Sequence, residues 1–150
     1  MGSTLDDENH PCRSLAVGAV LLAAGAGSRI GHRPKCLLEF DGEPLIRRQL
    51  SALSEAGVDE VVVVLGHYAP AIEALIQSCR IKRVRNPDPD AGQNASLHIG
   101  LAALSDRPDA ILVALADQPL IQAPDIAALI SAYNKRPAGM ELVQPTVETL

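Results

Sequence analysis

Three stretches of the chain are apolar at nearly every position, and this pattern limits the fold more than any other feature. They cover residues 16–23, 60–65 and 110–115, and none shows the alternation of a strand with one face in water. Unbroken apolar stretches of this length are typical of parallel strands that are buried on both faces. We therefore predict an α/β fold of three layers (α/β/α), in which helices cover both faces of a mostly parallel sheet.

The segments between these strands carry helix signals. Pro44 suits the first turn of a helix, Ile46, Leu50 and Leu53 follow at helical spacing, and Gly57 is a stop signal. The remaining predicted elements are strands at 37–40 and 81–84, helices at 70–79 and about 95–104, a helix that begins at Pro124, and a strand that begins at 142–144.

The loops that follow the strands are predicted to form the ligand site. In an open parallel sheet, ligands bind beyond the carboxyl ends of the strands. The loops that we expect to converge at this edge are 24–35, 66–69, 86–94 and 116–123.

The charge and the cysteines exclude several classes of function. A net charge of −5 over 150 residues gives no electrostatic footprint for nucleic acid or for an acidic membrane. Cys12, Cys36 and Cys79 lack CxxC spacing, which argues against a disulfide framework and a zinc site, and we expect Cys36 to be a small buried residue. No apolar stretch approaches the roughly 20 residues of a membrane span. We predict a soluble, cytoplasmic protein with a flexible tail at residues 1–14 and one domain at 15–150.

The loop after the first strand has the composition of a phosphate-binding site. Residues 22–35 read LAAGAGSRIGHRPK. The glycine spacing does not fit the GxGxxG dinucleotide fingerprint, and Walker A fails because Lys35 follows proline rather than glycine. Backbone amides at Gly25 and Gly27 suit phosphate oxygens, Arg29 can contact two oxygens at once, and Lys35 supplies a compact charge. From this loop alone, a glycine-rich surface turn with solvated cations is the alternative.

Two further motifs accompany this loop. Residues 92–97 read GQNASL at the start of a predicted helix, and residues 115–120 read LADQPL at the end of a predicted strand. Together with LAAGAGSRIG…PK, these motifs resemble the signature of the nucleotidyltransferases that make nucleotide-activated compounds. Within that group the chain most resembles the molybdenum-cofactor (molybdopterin) cytidylyl/guanylyltransferase branch, with its MobA-like NTP transferase domain. The resemblance runs from about residue 17 to 133 and implies a Rossmann-like nucleotidyltransferase fold.

The resemblance also implies a reaction and a set of site residues. The reaction is the Mg²⁺-dependent transfer of a nucleotidyl group from CTP or GTP to a phosphorylated acceptor such as molybdopterin, with release of pyrophosphate. Lys35 would neutralise charge near the α-phosphate, Arg29 would hold the leaving pyrophosphate, and Asp117 would bind the metal. The predicted nucleotide-binding residues are Leu22, Ala23, Ala24, Gly25, Gly27, Arg29, Lys35, Gly92, Ser96 and Asp117.

The base of the nucleotide is predicted from two of these segments. In the similar family, an Ala-Ala form of the first loop, here Ala23-Ala24, together with a Ser-Leu pair, here Ser96-Leu97, goes with CTP, whereas a Gly-Gly form goes with GTP. We therefore favour transfer of CMP over GMP. As the alternative, Asn94 or Ser96 simply caps the helix that follows.

Several alternatives remain open at this point. The Pro34-Lys35 ending also resembles sugar-nucleotide and isoprenoid-precursor cytidylyltransferases, and a non-catalytic nucleotide-binding module would need the same loop. A dinucleotide-binding dehydrogenase is disfavoured by the glycine spacing. Chains of the similar family continue further and supply a second acidic metal ligand, so we expect this chain to lack their usual C-terminal portion. The resemblance also implies contact with a molybdoenzyme or its chaperone.

Overall fold

A computed structural model describes residues 15–25, 33–105 and 108–145 of the chain. The strands in these residues are β1 (Val17–Ala23), β2 (Glu39–Phe40), β3 (Glu43–Pro44), β4 (Glu60–Leu65), β5 (Lys82–Arg85) and β6 (Ala110–Leu115). Four of them form one sheet in the order β5-β4-β1-β6, and every neighbouring pair in it is parallel. The other two form a short antiparallel hairpin. The predicted parallel sheet is confirmed.

Helices cover both faces of the sheet, which confirms the three layers. The described α-helices are α1 (Leu45–Glu55), α2 (Ala69–Ile76), α3 (Gln93–Ala103) and α4 (Ala123–Asn134). On one face, Leu21 of β1 packs with Ile46 of α1 and Ile72 of α2, and α4 continues the same layer. On the other face, Val20 packs under α3. No helix within the described residues is long and apolar enough to cross a membrane.

The central strand explains why the first apolar stretch is unbroken. All seven residues of β1 are buried, because β1 has a strand on each side and helices above and below. Its odd-numbered residues face α1, α2 and α4, and its even-numbered residues face α3. The strand ends at the edge of the sheet where the predicted phosphate loop begins.

Gly100 allows α3 to lie close to the sheet. A Cβ atom at this position would lie 2.4 Å from Cγ1 of Val20 and 2.9 Å from Cγ2 of Val64, and both valines are fully buried. Alanine is the better helix former by up to about 1 kcal/mol, but overpacking is expected to outweigh this gain. We predict that Gly100→Ala lowers the free energy of unfolding by about 1–2 kcal/mol. Urea denaturation measures the change, Ser131→Ala on the exposed side of α4 is the control, and an unchanged midpoint would contradict the close packing.

Two sequence predictions about strands are wrong: that β6 is buried on both faces, and that a strand begins at residues 142–144. β6 is not buried on both faces, because β1 is its only neighbour among the described strands and α3 lies over β1, β4 and β5. Ile111 and Val113 are consequently 48% and 49% exposed. Residues 142–144 form no strand, and Leu142 is 77% exposed.

Other boundaries shift by a few residues. The predicted strand at 37–40 divides into a 3-10 turn at Lys35–Leu37 and the two-residue strand β2, which turns at Asp41 and Gly42. Both turn residues have positive φ angles of 52° and 80°, as a tight hairpin requires. α3 begins two residues earlier than predicted, at Gln93, because Gly92 (φ 99°) ends the preceding turn.

Candidate active site

A cleft of about 370 Å³ lies beyond the carboxyl ends of β1 and β6. The segments that form it are the end of β1, the turn at residues 34–36, the start of α3 and the residues after β6. Eight of the ten predicted nucleotide-binding residues line it: Leu22, Ala23, Ala24, Gly25, Lys35, Gly92, Ser96 and Asp117. The other two, Gly27 and Arg29, lie outside the described residues.

Backbone hydrogen bonds hold the strand ends together at the cleft. The amide of Ala116 donates to the carbonyl of Leu22 over 3.1 Å, and the amide of Asn86 donates to the carbonyl of Leu65 over 2.8 Å. A side-chain pair, His67 Nε2 and Asp90 Oδ1 at 2.9 Å, joins two of the loops that were predicted to converge.

Gly66 allows the backbone of the first loop to lie close to the end of β4. It follows β4 directly, and a Cβ atom there would lie 2.6 Å from the carbonyl oxygen of Ala24. Any larger residue would push the first loop away from β4. Sequence reasoning missed Gly66, although a glycine immediately after a buried strand in a ligand-edge loop is a signal for such close backbone approach.

Lys35 enters the cleft at the start of a short 3-10 turn. Pro34 is buried with φ −65° and ψ 126°, and its carbonyl accepts the amide of Leu37 over 3.0 Å. These restraints fix the backbone next to Lys35, whose side chain is half-buried. Lys35 forms no ion pair with any other described residue. Its positive charge is therefore available to an anionic ligand.

Asp117 lines the same cleft, directly after β6. Ala116 beside it is buried, whereas Asp117 is exposed to the cleft. The turn is held from behind by Gln49 of α1, which is 2% exposed and whose Nε2 donates to the carbonyl oxygen of Gln118. Sequence reasoning missed Gln49, because nothing in the sequence marks one polar residue of α1 as buried.

The carboxylate of Asp117 fits a hard divalent cation. A carboxylate oxygen is the ligand that Mg²⁺ and Mn²⁺ prefer, and such ions commonly take one or two carboxylates together with substrate phosphates and water. No group of three or more potential metal ligands occurs in the part of the chain that the structure describes. Asp117 would therefore supply one carboxylate ligand to such an ion.

Ser96 also lines the cleft, in the first turn of α3. It is 3% exposed, and its Oγ accepts a hydrogen bond from Nδ2 of Asn86 over 3.0 Å. The alternative in which Asn94 or Ser96 caps the helix is wrong, because Gly92 occupies the N-cap position and no side chain caps it. Asn86 was not identified from the sequence.

Cys36 is buried in the cleft wall, as predicted. The pKa of its thiol is raised from the usual 9.0 to about 11, mainly by burial and in smaller part by the negative charge of Asp117. The thiol is therefore protonated, and a poor nucleophile, at neutral pH.

This shift predicts a pH dependence of stability. Because the folded-state pKa lies above the unfolded value, Cys36 contributes stability that is present below about pH 9 and is lost as the pH rises towards about 11. In a Cys12→Ser/Cys79→Ser background, we expect thiolate absorbance to titrate near pH 11 when folded and near pH 9 in denaturant. Adding Cys36→Ala should remove the part of the loss of stability in this range that the thiol causes. Folded-state titration near pH 9 would contradict the burial of the thiol.

Comparison with known proteins places the chain in a family. Residues 19–147 match the model of the MobA-like NTP transferase domain. The nicotine blue oxidoreductase of Paenarthrobacter nicotinovorans is 36% identical over 130 residues, which cover 87% of this chain and 61% of that protein.

Solved structures agree with this assignment. A nucleotidyl transferase from Methanothermobacter thermautotroptrophicus superposes with a TM-score of 0.70 and 34% identity, over 77% of this chain and 57% of that one. The Rv0371c protein of Mycobacterium tuberculosis H37Rv, solved in complex with manganese, superposes with a TM-score of 0.66 and 26% identity, over 79% and 59%. The chain spans about three-fifths of the length of each of these three proteins. With its Rossmann-like fold and a family match over most of its length, the chain belongs to the family of MobA-like NTP transferase domains.

Proposed function

We propose that this chain transfers a nucleotidyl group, CMP in preference to GMP, from an NTP to a phosphorylated acceptor such as molybdopterin. The observation that carries the proposal is the single cleft that gathers eight of the predicted nucleotide-binding residues from four separate segments. Lys35 and Asp117 belong to this cleft, and neither is neutralised by an ion pair within the described residues. Membership of the family supports the same conclusion.

The reaction needs positioning and charge stabilisation rather than a protein nucleophile. A phosphate oxygen of the acceptor attacks the α-phosphorus, and the bond from this phosphorus to the bridging oxygen breaks. Pyrophosphate leaves with the electron pair, and no proton has to be removed from an ionised acceptor phosphate. Lys35 neutralises the charge that develops on the α-phosphate, amides at Gly25 and Gly27 hold phosphate oxygens, and Arg29 holds the pyrophosphate.

A divalent cation, Mg²⁺ in the proposal, is held by Asp117. When bound, such a cation neutralises negative charge on the phosphate oxygens of the NTP. The exposed carboxylate in the cleft supports this role, and so does a relative of the same fold that was solved with manganese. By holding the cation, Asp117 would help to position the NTP in the cleft that Lys35 also lines.

The proposed acceptor determines which cellular location and which protein partners we propose. A cytoplasmic protein that modifies molybdopterin would deliver its product to a molybdoenzyme or to the chaperone of one. The net charge of −5 supports the absence of nucleic-acid and acidic-membrane partners.

Pyrophosphate release tests the proposal. The purified chain is supplied with CTP or GTP, Mg²⁺, and one acceptor at a time: molybdopterin, a sugar phosphate or an isoprenoid-precursor phosphate. We expect release with molybdopterin, faster with CTP than with GTP. Release with another acceptor alone would replace molybdopterin as the substrate. Saturable nucleotide binding without release from any acceptor would support a non-catalytic binding module instead.

A second candidate function follows from the name of one relative. Because a protein that is 36% identical is called an oxidoreductase, oxidation of a reduced nicotinamide nucleotide by a quinone-type acceptor is a relevant measurement. We expect no oxidation, since the glycine spacing of the first loop does not fit a dinucleotide-binding fingerprint. Oxidation that is competitive with CTP would assign the cleft to redox chemistry.

A further inference from the structure

A buried side-chain amide, that of Asn86, lies behind the cleft without lining it. Asn86 follows β5 and is 5% exposed. In addition to the backbone hydrogen bond with Leu65, it makes two side-chain hydrogen bonds: Oδ1 accepts the amide of Asp88 over 2.9 Å, and Nδ2 donates to Oγ of Ser96 over 3.0 Å. Asn86 thus joins the end of β4, the turn before α3 and the first turn of α3.

The contact with Asp88 fixes which way the amide points. A backbone N–H can only donate, so the atom of Asn86 that faces it must be the carbonyl oxygen Oδ1. The amino group Nδ2, which can only donate, therefore faces Ser96. The reversed amide would set two donors against each other at Asp88.

The direction of this hydrogen bond determines what Ser96 can offer to a ligand. A hydroxyl has one proton and two lone pairs, and one lone pair of Ser96 Oγ is taken by Asn86. The hydroxyl of Ser96 donates to no side chain or backbone carbonyl in the residues that the structure describes, and it lines the cleft. Its proton is therefore free to be donated there.

We propose that Asn86 is a positioning residue that commits Ser96 to donate a hydrogen bond to an acceptor atom of the bound nucleotide. The inference rests on the proposed function, because it needs a nucleotide in this cleft. Without Asn86, the hydroxyl of Ser96 can turn back and donate to the carbonyl of Gly92, four residues earlier in its own helix. The acceptor atom belongs to the base, to the ribose or to a phosphate.

A double-mutant cycle tests this coupling. Calorimetry measures the affinity of the chain for CTP with Mg²⁺, in the parent, Asn86→Ser, Ser96→Ala and the combined variant. Asn86→Ser retains an acceptor for the amide of Asp88, but the shorter side chain cannot reach Ser96. We expect Ser96→Ala to weaken binding about tenfold and Asn86→Ser about three- to tenfold. In the combined variant, Asn86→Ser should add no further loss, because there is no hydroxyl left to orient.

The controls separate positioning from folding. Asn134→Ser, an equivalent change at the exposed end of α4, should bind CTP like the parent. If Asn86→Ser does not unfold cooperatively, the same cycle is run with Asn86→Asp, which keeps the acceptor for Asp88 and the size of the side chain. Equal weakening by the change at Asn86 with and without the Ser96 hydroxyl would overturn the proposal, as would parent-like binding by the single variant.

Two further measurements assign the acceptor and separate this inference from the proposed function. Inorganic tripolyphosphate with Mg²⁺ replaces CTP in the same cycle: coupling that persists places the acceptor on a phosphate, and coupling seen only with CTP places it on the nucleoside, that is, on the base or the ribose. A parent that binds CTP with the expected coupling but releases no pyrophosphate would contradict catalysis and support the role of Asn86. A parent that binds neither CTP nor GTP would overturn both.

Discussion

Lys35→Ala is expected to lower the rate of nucleotidyl transfer about 10²- to 10³-fold, the usual cost of losing one preorganised charge stabiliser. Lys35 is half-buried in the cleft and has no ion-pair partner among the described residues, so its charge is available to an anionic ligand, in the proposal the α-phosphate. The loss should fall mainly on kcat, because in the proposed mechanism the charge that Lys35 neutralises grows in the transition state. Steady-state pyrophosphate release measures it.

Two variants serve as controls for Lys35. Lys135→Ala removes the same charge at the exposed end of α4 and should retain the parent rate. Lys35→Arg keeps the charge in a wider group and should recover part of the rate. Undiminished turnover by Lys35→Ala, in a chain that unfolds at the parent temperature, would remove Lys35 from the mechanism.

Asp117→Asn is expected to have an effect of similar size, about 10²- to 10³-fold on the rate. The amide has the shape of the carboxylate but lacks the charge that holds a divalent cation. The variant should therefore need a much higher Mg²⁺ concentration for half-maximal activity, which a metal titration of the rate measures. The hydrogen bond from Gln49 to the backbone of Gln118 should keep the turn in place.

A matched control for Asp117→Asn tests whether the loss of any one negative charge changes the Mg²⁺ dependence. Glu55→Gln removes one carboxylate at the end of α1, at the opposite edge of the sheet, and should leave the Mg²⁺ dependence unchanged. If Asp117→Asn shows the Mg²⁺ dependence of the parent, the metal is held elsewhere.

Most of the fold could be predicted because its signals are local. Unbroken apolar stretches located β1, β4 and β6, and proline and glycine punctuation located most helices to within a few residues. The exposure of Ile111 and Val113 could not be predicted, since an edge strand and a central strand of a parallel sheet share the same composition. The order of the strands depends on the whole sheet, so the sequence of one strand does not show whether that strand lies at the side of the sheet or in its centre.

The residues of the candidate site likewise fall into two groups: those that local sequence motifs identify and those that only the folded structure reveals. Lys35, Ser96 and Asp117 stand in motifs, and the rule that ligands bind beyond the carboxyl ends of strands predicted that they meet. Gln49 and Asn86 could not be identified, because their importance lies in hydrogen bonds to partners 69 and 10 residues away. A polar residue on a helix or after a strand reads as solvent-exposed until its partner is known.

The central claim is that the cleft binds an NTP together with a divalent cation, and the shift in Tm on ligand addition tests it most directly. CTP, GTP and NADH are each added to the chain with and without Mg²⁺. A ligand that binds only the folded state raises Tm, so we expect the largest rise with CTP and Mg²⁺ together and little from either alone. Asp117→Asn should lose the part of the rise that depends on Mg²⁺. No Mg²⁺-dependent shift with any NTP, or a shift with NADH alone, would contradict the account.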